Sequence, residues 1–166
     1  MLPLLLLPAV LQGLAMLVDE LVFHRKRGLP RWERLGHPLD TLTTALCYGW
    51  LALVPASNPH FLGIYVALCA FSCLFITKDE FVHARLCEPP ETWLHSLLFV
   101  LHPLVFLGFG LIALAGGHAW VLRFALALSL GFMGYQIVYW NWQRKPSSPP
   151  KEAGHGSKSR ATVEYQ

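Results

Sequence analysis

The sequence predicts an all-α membrane protein, and three observations lead to this prediction. Hydrophobic residues make up 54% of the 166-residue chain and charged residues only 14%, whereas about a quarter of the residues in soluble domains are charged. The apolar residues form five stretches, each close to the roughly 20 residues that a membrane-spanning helix requires. Segments containing Pro or Gly separate these stretches, at points where a helix is expected to stop. We therefore expect a bundle of five transmembrane helices.

The predicted helices cover residues 2–23, 38–56, 61–77, 93–115 and 120–142, so that 1–142 form one transmembrane helical bundle. The first stretch has no positively charged start and no small-residue cleavage site, which favours a retained helix over a cleaved signal peptide. The third stretch is the shortest, and its helix can extend beyond the membrane through "KDEFVHAR". Residues 143–166 are rich in Pro, Ser, Gly and charge, which predicts a disordered cytoplasmic tail.

Basic residues predict the orientation of the bundle, because loops rich in Lys and Arg stay in the cytoplasm. All of the 13 Lys and Arg residues except Arg123 fall in the first loop, the third loop or the tail. Arg123 is near enough to the outer end of the last helix for its side chain to reach the surface. We expect an outside N-terminus, a cytoplasmic C-terminus and a multi-pass location in the inner (plasma) membrane of the cell.

Two segments at the cytoplasmic side of this topology are similar to each other. They read "DELVFHRKRGLPRWERLGH" at 19–37 and "DEFVHARLCEPPETWLH" at 79–95. Each starts with Asp-Glu, continues to a His and ends with Glu-x-x-x-His. We interpret the chain as two repeated hairpins plus a fifth helix, with parallel repeats related by an axis along the membrane normal. A chance likeness is the alternative, because the alignment needs one-residue gaps.

The spacing of glutamates and histidines in the two segments predicts a metal centre. Residues three or four apart lie on one helix face. Four Glu/His pairs have this spacing: Glu20 and His24, Glu33 and His37, Glu80 and His83, and Glu91 and His95. The ligand types resemble those of di-iron and di-manganese carboxylate bundles, in which four helices converge on two metal ions. The chain lacks the His-x-x-x-His boxes of membrane desaturases, so the resemblance is one of ligand chemistry alone.

Other polar residues near the pairs complete the predicted centre. His102 lies two turns, about 10 Å, beyond His95 on the same helix face, as a further ligand or a residue of the substrate pocket. Asp19, Asp40 and Asp79 are expected to orient the imidazole rings through hydrogen bonds. Imidazole and carboxylate ligands favour two iron ions, with manganese or zinc as alternatives. The four cysteines have no Cys-x-x-Cys spacing and are interpreted as small hydrophobic residues.

A centre of this kind at the cytoplasmic membrane face predicts a metal-dependent oxidoreductase. Its substrate would be lipid-soluble, such as a lipid, a quinone or an isoprenoid. Two other functions stay open: a metal or proton transport protein without catalysis, and a metal-dependent lipid hydrolase. A further alternative assigns the same side chains to ordinary ion pairs at the membrane interface. The expected partners are bilayer lipids, with no nucleic acid, and an oligomer that shares the site between copies is left open.

Overall fold

The computed structural model of the chain describes residues 1–116 and 118–143, except the side chains of Val82, Arg85, Leu86 and Gln143. Within these residues the chain is helical and has no β-strand, which confirms the all-α prediction. The predicted disordered tail lies outside the described residues, apart from residue 143. In chain order the helices are α1 Leu2–Arg27, α2 Arg31–Leu53, α3 Phe61–Asp79, α4 Glu80–Leu86, α5 Pro89–Ala115 and α6 Ala119–Trp142.

Four helices of the described chain, α1, α3, α5 and α6, are long and apolar enough to cross a membrane. Helix α2 corresponds to the second predicted span but begins at Arg31, before the predicted start at residue 38. The segment "RWERLGH" forms the first two turns of this helix and is not a loop. Because this segment brings Glu33 and Arg34 into the helix, and Asp40 follows, α2 is less apolar than the four long helices α1, α3, α5 and α6.

Helix α1 changes its winding where its polar residues begin. It is α-helical over Leu2–Val18 and π-helical over Asp19–His24. A π turn contains an extra residue, so the side chains that follow are rotated relative to those of a regular helix. Both acidic residues and the histidine of this turn are buried. The helix ends at Gly28, whose φ of 79° favours glycine.

Helices α3 and α4 follow each other without a break. The chain tightens into a 3₁₀ turn over Ile76–Asp79 and then continues as α4, so the predicted extension beyond residue 77 is helical. It reverses at Cys87, which is extended with φ −85° and ψ 144°. Helix α5 begins at Pro89, before the predicted start at residue 93. Proline fits the first turn of a helix, where its missing N–H needs no partner, so "CEPPE" both ends one helix and starts the next.

Packing places an apolar core at one end of the bundle and the polar segments at the other. Helix α1 packs along α5, and α2 packs against α6 and α3. The core includes Tyr48, Phe106, Phe109, Ile112 and Val121. Large apolar side chains also cover much of the outer surface, as expected where lipid chains form the surroundings. The chemistry of the chain is therefore concentrated at the polar end.

A chain of hydrogen bonds joins four helices between the core and the polar end. Gln12 Nε2 donates to His102 Nδ1 over 3.1 Å, and His102 Nε2 donates to Ser72 Oγ over 3.1 Å. Ser72 Oγ donates to Thr43 Oγ1, 2.8 Å away, and Thr43 donates to the carbonyl oxygen of Asp40. Each of these donors has an acceptor when His102 carries its hydrogen on Nε2.

Candidate metal centre

Four histidine side chains meet at the polar end of the bundle. His24 comes from α1, His37 from α2, His83 from α4 and His95 from α5. The ring centroids of His24 and His37 lie 4.7 Å apart, and those of His24 and His95 6.3 Å apart. The centroids of His83 and His95 are 4.0 Å apart. The structure thus brings together the histidines of all four Glu/His pairs.

The first group of side chains that could hold a metal ion consists of Asp19, His24, Glu91 and His95. One ligand atom from each lies within 4.8 Å of the others, and all four residues are buried. Asp19 Oδ2 is 3.2 Å from both His24 Nε2 and His95 Nε2. The structure therefore places Asp19 among the ligand atoms, whereas the sequence analysis placed it behind the imidazole rings.

The second group contains Glu33, His37 and His83, whose ligand atoms also lie within 4.8 Å of one another. Glu33 is fully buried, and His83 Nε2 is 3.5 Å from Glu33 Oε1. Burial, and then the nearby His95, lower the pKa of His83 to about 4. Its imidazole is therefore neutral near pH 7, and neutral imidazole is the form that binds metal ions.

The predicted orienting residues Asp40 and Asp79 lie beside His37, with ligand atoms of all three within 4.8 Å of one another. Lys78 Nζ binds both carboxylates, at 2.7 Å from Asp40 Oδ1 and 2.8 Å from Asp79 Oδ2. Trp32 Nε1 donates to the other oxygen of Asp79 over 3.1 Å. A lysine ammonium thus binds both carboxylates, and offsets one negative charge, where a metal cation could also bind.

Arg27 connects the two main ligand groups. Its Nη2 is 3.0 Å from Glu33 Oε2 and 3.0 Å from Glu91 Oε1, so one guanidinium holds carboxylates of α2 and α5. The sequence analysis counted Arg27 only as a loop charge. No pattern in the sequence indicates that the last turn of α1 faces both of these helices.

Three predicted ligands lie outside the ligand groups found among the described residues. Glu20 accepts hydrogen bonds from Trp140 Nε1 over 2.6 Å and from His24 Nδ1 over 3.4 Å, so it orients the ring of His24. Glu80 is half-buried at the first position of α4. His102 lies deeper in the bundle, and both of its ring nitrogens belong to the hydrogen-bond chain that joins four helices.

Cys87 is a neighbour of the centre that the sequence analysis set aside as a hydrophobic residue. Its Sγ forms a third group with the ligand atoms of His83 and His95, all within 4.8 Å of one another. Burial, and then Glu91, raise the pKa of Cys87 to about 12, so without a metal ion the side chain is a neutral thiol. The sequence signal is the spacing of four residues from His83 to Cys87, which places Cys87 one helical turn after His83.

Five buried atoms of the cluster have no hydrogen-bond partner among the described residues. They are Asp19 Oδ1, His37 Nε2, both ring nitrogens of His83, and His95 Nδ1. A buried polar atom without a partner costs about 1–3 kcal/mol, and proteins pair almost all such atoms with protein groups, water or ions. Imidazole nitrogens and carboxylate oxygens are ligands that transition metals bind. The cluster therefore has both the ligand set and the unpaired atoms expected of a metal site.

Comparisons of the chain with family models, with curated proteins and with solved structures find no match. A function is therefore inferred from the geometry of the cluster, its burial and its place at one end of apolar helices. On these grounds the chain is a helical protein with helices suited to a membrane. Its histidine and carboxylate side chains are positioned to hold a metal ion.

Proposed function

We propose that this chain is an integral membrane metalloprotein that holds two metal ions, iron first among the candidates, and oxidises a lipid-soluble substrate. The observation that carries the proposal is the set of unpaired buried atoms on Asp19, His37, His83 and His95. Folding these atoms away from water without partners is unfavourable. Metal ions are partners that suit imidazole and carboxylate atoms together.

Two neighbouring positions suit the two ions. The first ion would bind the group around Asp19, and the second the group around Glu33. His83 and His95, one from each group, have ring centroids 4.0 Å apart, so the ions would be close neighbours, as in two-metal sites. Mixed carboxylate and imidazole ligands suit non-haem iron, and they also accept manganese or zinc.

The charges of the cluster also favour bound cations. Asp19, Glu33 and Glu91 are buried, with 6%, 0% and 2% exposure. Among the ion pairs of the described residues, Arg27 is the only Lys or Arg that reaches any of the three. One guanidinium leaves two negative charges in a buried site, which is unfavourable unless other cations compensate them. Divalent metal ions would supply the missing positive charge.

The surroundings of the centre favour a substrate that is dissolved in the membrane. Apolar side chains are exposed on α1 at the turn that carries Asp19 and His24. Leu17 before the turn is 49% exposed, and Leu21 and Val22 within it are 47% and 53% exposed. A lipid, quinone or isoprenoid could approach this face from the bilayer and enter between helices. Bound iron would supply the activation of dioxygen. The chain itself would orient the ligands, through contacts such as that of Glu20 with His24, and keep water out.

The proposal includes the five-span topology, with the N-terminus outside, the C-terminus cytoplasmic and the chain in the plasma membrane. Helix α2 packs against α3 and α6, both of which are long and apolar enough to cross a membrane. A helix held between two spanning helices is expected to cross with them. The position of the basic residues supports the orientation.

The proposal also includes the duplication of the hairpin, and corresponding contacts support it. The two imidazoles within each hairpin have centroids 4.7 and 4.0 Å apart. Between the hairpins, Asp19 lies beside His95, and its counterpart Asp79 lies beside His37. Equivalent residues thus make equivalent contacts, as expected for two copies of one ancestral segment.

Proton handling without catalysis is a second candidate, favoured by the hydrogen-bond chain that starts at Gln12 and His102. A transport path requires polar groups across the whole membrane. Beyond Gln12 the core consists largely of apolar residues such as Phe109 and Ile112, so we place this candidate second. Proton or metal-ion flux in proteoliposomes containing the purified chain would reverse the order.

Metal analysis of detergent-purified protein tests the metal centre. We expect about two equivalents of iron per chain and a loss of bound iron in His37→Ala and His95→Ala. His60→Ala is the matched control, because His60 is exposed in the loop at the opposite end of the bundle. His102→Gln is a second control, since this histidine is buried but lies outside the ligand groups. A protein that binds no metal, or equal metal in all four variants, would overturn the proposal.

Oxygen uptake tests the oxidation separately. Iron-loaded protein in vesicles made from a lipid extract whose quinones have been reduced to quinols should consume oxygen faster than His95→Ala protein in the same vesicles, because the quinols supply the electrons that reduce dioxygen. Full iron occupancy without oxygen uptake would support the metal centre but contradict the proposed oxidation of a substrate. Both measurements use the full chain.

A further inference from the structure

Cys87 occupies the chain reversal between α4 and α5, directly beside the proposed centre. The N–H of Cys87 donates to the carbonyl oxygen of His83 over 2.9 Å, which closes the last turn of α4. This bond fixes Cys87 one turn after His83. Glu91, a residue of the first ligand group, follows Cys87 by four positions on the new helix.

Two histidine side chains beside Cys87 have unpaired ring nitrogens. His83 is 4% exposed and His95 is also 4% exposed. Among the described residues, neither ring nitrogen of His83 has a hydrogen-bond partner, nor does Nδ1 of His95. Cys87 Sγ and a ligand atom of each histidine all lie within 4.8 Å of one another. Two buried imidazoles with unpaired nitrogens therefore accompany the thiol.

We propose that Cys87 is a thiolate ligand of the metal centre, acting together with His83 and His95. This inference rests on the proposed metal centre and specifies its ligands further. His83 belongs to the group around Glu33, and His95 belongs to the group around Asp19. Cys87 thus neighbours one residue of each ligand group, and its sulfur would bind a metal ion together with these histidines.

The binding step balances without an oxidant or a reductant. The Sγ–H bond of Cys87 breaks, a bond from sulfur to the metal forms, and the proton leaves to solvent. No electron is transferred in this step. A sulfur ligand makes the centre softer than a site of carboxylates and imidazoles alone, which favours zinc, cobalt or iron over magnesium and calcium.

The other three cysteines provide matched controls. Cys47 lies on α2, and Cys69 and Cys73 lie on α3, all in the apolar part of the bundle. None of them belongs to a ligand group found among the described residues. A serine at Cys73 removes a thiol from the chain without touching the centre.

Cobalt substitution of the purified full chain tests the inference, because a thiolate bound to Co²⁺ adds a near-ultraviolet charge-transfer band to the visible cobalt bands. We expect both sets of bands in the unchanged chain and in Cys73→Ser. In Cys87→Ser we expect the near-ultraviolet band to be lost and the visible bands to remain. Visible bands without the near-ultraviolet band in the unchanged chain would overturn the role of Cys87 and leave the metal centre intact. A chain that takes up no cobalt would overturn the centre and this inference with it.

Alkylation of the unchanged chain gives a second readout that does not depend on a variant. Zinc should slow the reaction of Cys87 with a maleimide severalfold, as followed by peptide mass spectrometry. The rate at Cys73 should be the same with and without zinc. An unchanged rate at Cys87 in protein that has bound zinc would overturn the inference.

Discussion

Arg27 pairs with two buried carboxylates of the metal-free centre. It binds Glu33, which is fully buried, and Glu91, which is 2% exposed. The side chain of Arg27 itself is 18% exposed. Removing one partner from a buried ion pair leaves an uncompensated charge, which costs more than the intact pair contributes. Loss of the guanidinium would leave both glutamates in this state.

We therefore expect Arg27→Met to lower the free energy of unfolding of the metal-free protein by about 3 kcal/mol, the low end for a buried pair because Arg27 keeps some exposure. Denaturant unfolding in detergent measures the change. Added iron or zinc should restore part of the loss, because an ion that binds only the folded chain stabilises it.

Lys26→Met is the matched control for the Arg27 variant. Lys26 Nζ is 3.5 Å from Glu88 Oε1, but the two side chains are 72% and 66% exposed. Exposed ion pairs contribute little to stability, so this variant should unfold almost like the unchanged chain. An equal decrease in the free energy of unfolding in the two variants would contradict the role assigned to Arg27.

The residues of the centre could be predicted in part. The spacing of Glu and His was sufficient to select the four histidines that the structure brings together, because spacing determines the helix face. It was not sufficient to divide roles between Asp19 and Glu20. Within the π turn, Asp19 lies beside His95 and Glu20 lies beside Trp140, and a sequence pattern based on 3.6 residues per turn does not describe this winding.

Among the helices, the contact between α1 and α5 positions the first ligand group. A Cβ atom at Gly108 of α5 would overlap the carbonyl oxygen of Leu5 on α1. Small residues at helix contacts allow such close approach inside a membrane. The same two helices carry Asp19 and His95, which are 3.2 Å apart. We therefore expect a change in the helix spacing at Gly108 to alter the distance between these two proposed ligands as well.

We expect Gly108→Ala to push α1 away from α5, because the added Cβ would clash with the backbone carbonyl of Leu5, which cannot change rotamer as a side chain could. The free energy of unfolding should fall by about 1–3 kcal/mol, as for other overpacked positions. A metal titration of the same variant should show weaker binding.

Gly13→Ala on α1 is the control for the helix contact, since a Cβ there would meet nothing within 4 Å. The free energy of unfolding of this variant should equal or slightly exceed that of the unchanged chain. Its metal affinity should be unchanged. Unchanged metal affinity in Gly108→Ala would contradict the link between helix spacing and the centre.

The helices were easier to predict than their ends. Apolar length identified α1, α3, α5 and α6, because a bilayer sets the length of a spanning helix. The starts of α2 and α5 came earlier than predicted, at Arg31 and Pro89. In both cases a polar segment next to proline was interpreted as a loop, although proline is well suited to begin a helix.

At the scale of the whole molecule, an apolar core and a polar centre occupy opposite ends of the bundle. In the proposed orientation, which rests on the positions of the basic residues, the centre would lie at the cytoplasmic face. The sequence could not indicate which helices pack together, such as α1 with α5 and α2 with α6. Those contacts depend on side chains that meet only in the folded chain.

Cysteine labelling tests the topology, in a chain whose four native cysteines are replaced by alanine. Arg31→Cys and Ser57→Cys introduce exposed thiols before and after α2. We expect a membrane-impermeant maleimide to label Ser57→Cys in intact cells and Arg31→Cys only after the cells are opened. Labelling of both thiols from the same side would show that α2 does not cross the membrane.

X-ray absorption spectroscopy of the iron-loaded, detergent-purified protein tests the central claim most directly, because it reports the atoms that surround the metal. The proposed centre predicts nitrogen and oxygen ligands with the scattering pattern of several imidazoles, and at most one sulfur from Cys87. It also predicts a second metal ion at about 3.5–4 Å. A shell of oxygen atoms without imidazole scattering, or a protein that retains no metal, would contradict the account.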